Sequence, residues 1–280
     1  MPELPEVETI SRTLQCGKNG ISPIVGKQVE KVQLLWKRTL ANSTGKKLHV
    51  RLVGQIVQSV SRRGKFIIIS FNPDFLLIHL RMSGDLRVEP SHDQSAKLTA
   101  LLKHDRLVID FTDGCRLVFN DPRKFGRVWL ATDPAEVLDQ LGPEPLDHAL
   151  TPEKFHQMLV AHKRQLKPLL LDQTFLAGLG NIYTDEALHL AKLHPIKLSN
   201  TLTEVQSRDL LKAIRAVLKE GIKHSGASID WVYRGGDFQN HFRVYQRDGQ
   251  SCLVCGTVIE RILVGQRGTH YCPNCQKLKD

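Results

Sequence analysis

Four cysteines near the end of the chain, Cys252-x2-Cys255 and Cys272-x2-Cys275, restrict the fold more tightly than any other feature. Two C-x2-C pairs sixteen residues apart have the spacing of a tetrahedral four-thiolate zinc site. Such a closed shell leaves no open position for chemistry, so the ion is structural. A segment this short has little core of its own, and metal binding supplies its folding energy. One Zn2+ per chain is therefore expected on Cys252, Cys255, Cys272 and Cys275, in preference to a redox pair or disulfides. Cys16 and Cys115 fall outside the pattern and read as ordinary buried residues. Between the two pairs, Val264–His270 reads as a β-hairpin tip. It carries Arg267, either a solvated turn arginine or one thrust at a phosphate or a groove.

The remaining 250 or so residues change period part-way along. After an opening helix, residues 1–131 read mainly as strands. Gln55–Val60 and Lys65–Phe71 are joined by Ser61-Arg62-Arg63-Gly64, and Asp74–Val88 reads as one extended stretch. Leu107–Phe111 and Cys115–Phe119 flank Asp113-Gly114, a strong hairpin signal. Short strands with tight turns predict an antiparallel β-sandwich. Residues 132–149, rich in Pro and Gly, read as a linker or hinge.

From residue 150 the period is helical. Thr151-Pro152-Glu153 starts one helix with Phe155, Leu159 and His162 on a face, and a second is predicted from Ile182 to about Lys192. A third begins at Thr203, whose spacing to Gln206 makes a capping box. Residues 226–240 read as a flexible glycine-bearing loop. The expected fold class is thus α+β and multidomain: a sandwich with a flanking helix (1–131), a hinge (132–149), a helical domain (150–245) and a zinc-finger hairpin (246–280).

Two local features point to chemistry. Removal of Met1 would leave Pro2 with a free secondary amine beside the carboxylate of Glu3. An α-amine titrates near pH ~8 in model peptides, so it is far better placed than lysine to attack a carbon and form a Schiff base. The helix starting near Pro5 would disfavour its protonated form. Further on, Gly178-Leu179-Gly180-Asn181 precedes a helix, whose N-terminal amides could hold an anion such as phosphate. It lacks the Gly-Lys-Ser/Thr ending of a nucleotide loop. The net charge of +10, positive in both halves, suits a long polyanion clasped between two lobes. No stretch is long and apolar enough for a membrane span, and no secretory signal opens the chain. A cytoplasmic protein acting at the nucleoid is expected.

Five separated motifs resemble the bacterial formamidopyrimidine-DNA glycosylase family: Pro2–Thr9, His79–Gly84, Asp121–Gly126, Gly180–Tyr183, and the cysteine tail with Arg267-Gly268-Thr269. The resemblance implies a helix-two-turns-helix in the helical domain. It also implies a monomeric enzyme that excises oxidised purines from double-stranded DNA, such as 8-oxoguanine and formamidopyrimidines, and then nicks the strand by β,δ-elimination. In that scheme Pro2 attacks C1′ of the damaged nucleotide, Glu3 moves protons at the sugar and Glu6 supports them. Lys65 and His104 contact backbone phosphates. Met82, Arg123 and Phe125 fill the space left by the extruded base. Asn181 and Arg267 hold the flanking phosphates, Lys167 and Glu186 are further polar positions of the site, and the 226–240 loop closes over the base. Arg81 stands where some relatives carry glycine. Two alternatives stay open: an endonuclease VIII-type glycosylase for oxidised pyrimidines, which the run Leu4-Pro5-Glu6-Val7-Glu8 disfavours, and a non-catalytic zinc-ribbon protein that binds nucleic acid.

Overall fold

The computed structural model describes residues 1–18, 20–89, 101–228 and 235–278. It divides into two compact units. Of the described residues, one holds Met1–Pro2 and those from Glu6 to Asp139, and the other holds Glu3–Pro5, 140–228 and 235–278.

The first unit is a sandwich of two antiparallel four-stranded sheets. Strands β1 (Val29–Leu34), β5 (Asp85–Glu89), β6 (Asp105–Phe111) and β7 (Arg116–Asn120) form one, in the order β1-β6-β7-β5. Strands β2 (Ser59–Arg63), β3 (Phe66–Ser70), β4 (Phe75–His79) and β8 (Arg127–Ala131) form the other, in the order β2-β3-β4-β8. Alternation decides which residues meet. Ile67, Ile69, Leu76 and Ile78 join Leu107, Ile109, Leu117 and Phe119 in one buried cluster. Ile68 and Leu77 point the other way and pack with Val137 and Leu138 of the short helix α3 (Ala135–Leu138). Helix α1 (Leu4–Cys16) adds Val7, Ile10 and Leu14 to the sandwich core, and α2 (Gly45–Leu52) adds Leu48 and Leu52.

Four details differ from the sequence reading. The β2–β3 hairpin turns at Gly64-Lys65 rather than over residues 61–64, because Gly64 takes the left-handed conformation (φ +56°) that a two-residue turn requires. The 74–88 stretch is two strands in different sheets, broken at residues 80–84, where Arg81 has φ +54°. That angle explains why glycine suits this position. Helix α2 was hidden by its shortness. Cys115 is buried as expected, but Cys16 is exposed, since two residues beyond Leu14 lies on the opposite side of a helix.

The second unit is helical: α4 (Pro152–Val160), α5 (Leu166–Leu171), α6 (Asn181–Leu190) and α7 (Glu204–Lys223). Thr151 and Thr203 cap α4 and α7 through their hydroxyls, and Thr203 with Gln206 forms the full capping box. Leu4 joins Phe155, Leu166, Leu169, Leu179, Tyr183, Leu211, Ile214 and Leu218 in this core. Strands β9 (Glu260–Val264) and β10 (Arg267–Tyr271) make the tail hairpin, with Gly265-Gln266 at its tip. Among the described residues no helix is long and apolar enough to cross a membrane.

Candidate active site and nucleic-acid interface

The N-terminus of α6 is built around an anion, and that anion belongs to the chain itself. The Glu3 carboxylate, only 3% exposed, accepts hydrogen bonds from the backbone N–H groups of Gly180 (2.7 Å), Ile182 (2.9 Å) and Tyr183 (3.4 Å). Free amides and the positive end of the helix dipole stabilise negative charge there. The donors assigned from sequence to a phosphate are therefore taken by Glu3. The backbone of Leu4 adds a bond to the Gly178 carbonyl at 3.0 Å. Glycine at 180 makes room for this carboxylate, since a Cβ would sit 2.3 Å from the Glu3 carboxyl carbon and displace it. Pro2, one peptide bond upstream, is buried, and with Met1 attached its nitrogen is an amide.

Gly180→Ala must push the carboxylate aside while leaving the buried core of α6 in place. A misplacement of ~1 Å at a reacting group costs about a hundredfold in rate. The single-turnover rate of this variant is expected to fall by that order, with little change in melting temperature. A wild-type rate would show that the position of Glu3 is immaterial.

The same helix fixes Arg267. Fully buried Lys167, on α5, pairs with fully buried Asp185 and donates to the Gly268 carbonyl at 3.4 Å. Asn181 Nδ2 donates to the same carbonyl at 3.0 Å, and the His270 amide donates to Asp185 at 3.0 Å. Burial pushes the Lys167 ammonium downward, and the carboxylates of Asp185 and Glu3 oppose that shift. From this position Lys167 helps hold β10, and removing either partner of such a pair costs ~3–5 kcal/mol. Arg267, by contrast, is exposed at the start of β10. Glu186 is equally buried and accepts from the amides of Arg243, Val244 and Tyr245 at 2.9–3.1 Å. Burial pushes this carboxyl upward, while the three amides favour its anion. It anchors the segment leading into the tail.

The four cysteines meet as their spacing predicts. Sγ–Sγ separations are 3.4 Å (Cys255–Cys272), 3.5 Å (Cys255–Cys275) and 3.9 Å (Cys252–Cys275). Thiolates around a tetrahedral zinc with Zn–S ~2.3 Å are about 3.8 Å apart. The residues fit a single structural zinc, and no disulfide is present among them. His189 Nε2 lies 3.5 Å from Cys252 Sγ, where it can donate to the thiolate. Gln276, fully buried, bonds the Cys272 amide and the Leu193 carbonyl, both at 2.9 Å.

In the first unit, Asp121 organises two loops. Its buried carboxylate accepts from Ser83 Oγ, from the Gly126 amide at 2.7 Å and from the Arg123 amide at 3.2 Å. The loops present Met82 (42% exposed) and Phe125 (49% exposed). The Arg123 guanidinium lies 5.1 Å from the Phe125 ring centroid. Two large apolar side chains held in water beside an arginine have the composition of a base-stack wedge. Half-buried His104 gives its carbonyl to the Asp121 amide at 2.9 Å. Lys65 is buried at the β2–β3 turn. His79 is held neutral, its pKa pushed down to about 3 by burial and by the charges of Arg81 and Lys65. Its Nδ1 accepts the Arg81 amide at 3.0 Å, bracing the left-handed residue next to Met82. Residues 229–234 of the 226–240 loop lie outside the described residues. Its base is closed by Ser228, whose hydroxyl donates to the Gly236 carbonyl at 2.7 Å.

Three family models match along the chain: the formamidopyrimidine-DNA glycosylase N-terminal domain over residues 1–128, the H2TH domain of the same enzyme over 141–232, and a zinc finger found in FPG and IleRS over 249–278. The formamidopyrimidine-DNA glycosylase of Ligilactobacillus salivarius is 40% identical over 288 residues, with all of both chains covered. The chain belongs to the formamidopyrimidine-DNA glycosylase family. A crystal structure of the Lactococcus lactis Fpg with DNA containing N7-benzyl-Fapy-dG superimposes with a TM-score of 0.88 at 37% identity, covering 99% of this chain and 100% of that one. The same enzyme with DNA containing an oxidised pyrimidine gives 0.87 at 37%, with the same coverage.

Sequence reasoning missed Asp185 and Gln276, and gave Asp121 no role of its own. Asp185 and Glu186 lie in a helix, where acidic residues ordinarily face water; only the polar partners buried beside them give them away.

Proposed function

We infer that this protein is a bifunctional DNA glycosylase and apurinic/apyrimidinic lyase of base excision repair, acting on oxidised purines. One observation carries the reading: the residue after Pro2 is locked into the N-terminus of α6, which gives an otherwise free chain end a fixed place. Once Met1 is removed, the Pro2 nitrogen bonds to C1′ as the bond from C1′ to the base breaks. The amine proton leaves with the base, the C1′–O4′ bond then breaks with a proton delivered to O4′, and the resulting iminium acidifies the hydrogen on C2′. Loss of that proton expels the 3′ phosphate, and a second elimination expels the 5′ phosphate. Glu3 is the group nearest in sequence to shuttle protons at the sugar. Asn181 and Arg267 bind phosphates flanking the lesion, Lys65 and His104 approach the backbone, and Met82, Arg123 and Phe125 replace the extruded base. Zinc holds the tail hairpin and supplies no step.

We take the domains as 1–131, 150–245 and 246–280 with a hinge at 132–149; the matched ranges follow the same order, the second beginning at residue 141 within the hinge segment. A repair enzyme works where DNA is, inside the cell, and we place this one in the cytoplasm at the nucleoid. We take it to act as a monomer. Turnover on duplexes carrying 8-oxoguanine opposite cytosine should exceed turnover on thymine glycol. The reverse order would move the assignment to the oxidised-pyrimidine branch.

A further inference from the structure

We propose that His224, Asp237 and His241 form a second metal site, specific for a borderline divalent transition ion such as Zn2+, distinct from the four cysteines. Each of the three puts one ligand atom within 4.8 Å of the others. His224 follows the last residue of α7, and Asp237 and His241 bracket the 3-10 helix Phe238–His241. The two imidazole rings are 3.8 Å apart between centroids, inclined at 40°.

The hydrogen bonds of His224 sort its two nitrogens. Nδ1 faces Asp237 Oδ1 at 2.9 Å, and Nε2 faces Glu220 Oε1 at 3.0 Å. A metal taking Nδ1, the Asp237 carboxylate and a nitrogen of His241 leaves Nε2–H donating to Glu220. That is the carboxylate–histidine–metal arrangement that orients ligating histidines elsewhere. Two imidazoles with one carboxylate suit zinc or nickel, whereas magnesium and calcium require oxygen ligands. Three protein ligands leave room for water, and the ion would tie the end of α7 to the 3-10 helix. None of these four residues takes part in the chemistry at Pro2, although Asp237 belongs to the 226–240 loop, so the inference stands whatever the N-terminus does.

The test uses the full-length protein with its cysteine-bound zinc in place, dialysed to equilibrium against micromolar free Zn2+. Metal per chain is then measured by mass spectrometry. Two ions per chain are expected for the wild type and one for His241→Ala and for Asp237→Asn. These positions are exposed, and an unchanged circular dichroism spectrum verifies folding. Glu220→Gln should keep the second ion but weaken it about 10- to 100-fold. A wild-type stoichiometry of one, a second ion that persists in both ligand variants, or equal occupancy by Mg2+ would each overturn the proposal.

Discussion

Blocking the imino nitrogen of Pro2, by retaining Met1 or an uncleaved tag, will lower covalent trapping of the protein on nicked, lesion-bearing DNA by more than about a thousandfold, since removing a nucleophile leaves only binding and electrostatic assistance. The measurement is borohydride reduction of the reaction mixture followed by denaturing electrophoresis, with intact mass establishing the N-terminus of each preparation. Pro2→Gly should also trap poorly. It retains an amine but loses the ring that fixes its approach. Folding should be untouched in both cases, because the anchoring bonds start at Glu3 and not at Pro2. Full-yield trapping with either blocked preparation would remove Pro2 from the chemistry. No trapping with the processed wild type would favour a zinc-ribbon protein that only binds DNA.

Zinc removal is the second large effect. The tail's own apolar core consists of Val244, Cys252, Ile259 and Cys272, with Cys275 against it, so two of its four fully counted members are ligands. Structural zinc contributes ~10–16 kcal/mol in isolated finger peptides, far more than so small a cluster can supply. Chelation or Cys272→Ser should therefore unfold the knuckles and release β9 and β10. Arg267 would then lose its fixed position, while Asp185, Asn181 and Lys167 retain only isolated holds on β10. Affinity for a duplex with an abasic-site analogue is expected to fall ten- to a hundredfold, about 1.4–2.7 kcal/mol, by fluorescence anisotropy. The sandwich should keep its strand signature in circular dichroism. Metal-free protein that binds DNA at full strength would show that the hairpin is held without zinc.

Local rules made much of this molecule legible from sequence. The capping box at Thr203 and the cysteine spacing depend on residues a few positions apart and appear as read; a hairpin also forms at Asp113-Gly114, though its loop is the three residues Thr112-Asp113-Gly114. Long-range pairing escaped. Nothing local shows that the amides of residues 180–183 are spoken for by Glu3, which lies 177 positions from Gly180. Nor does a lysine in an apolar helix declare that its partner is Asp185. The 74–88 run looked continuous because no proline breaks it after Asp74. Only a left-handed Arg81 reveals that the strand changes sheets. Asp121 stood in a motif without a role of its own, and Asp185 in none, because what each holds lies far away in the chain.

The bond between the front of the chain and the start of α6 also sets an order of assembly. A nascent polypeptide that has not yet reached its hundred-and-eightieth residue lacks the amides that hold Glu3, although Val7, Ile10 and Leu14 can already pack into the sandwich. The first residues to be synthesised are thus among the last to gain their full set of hydrogen bonds.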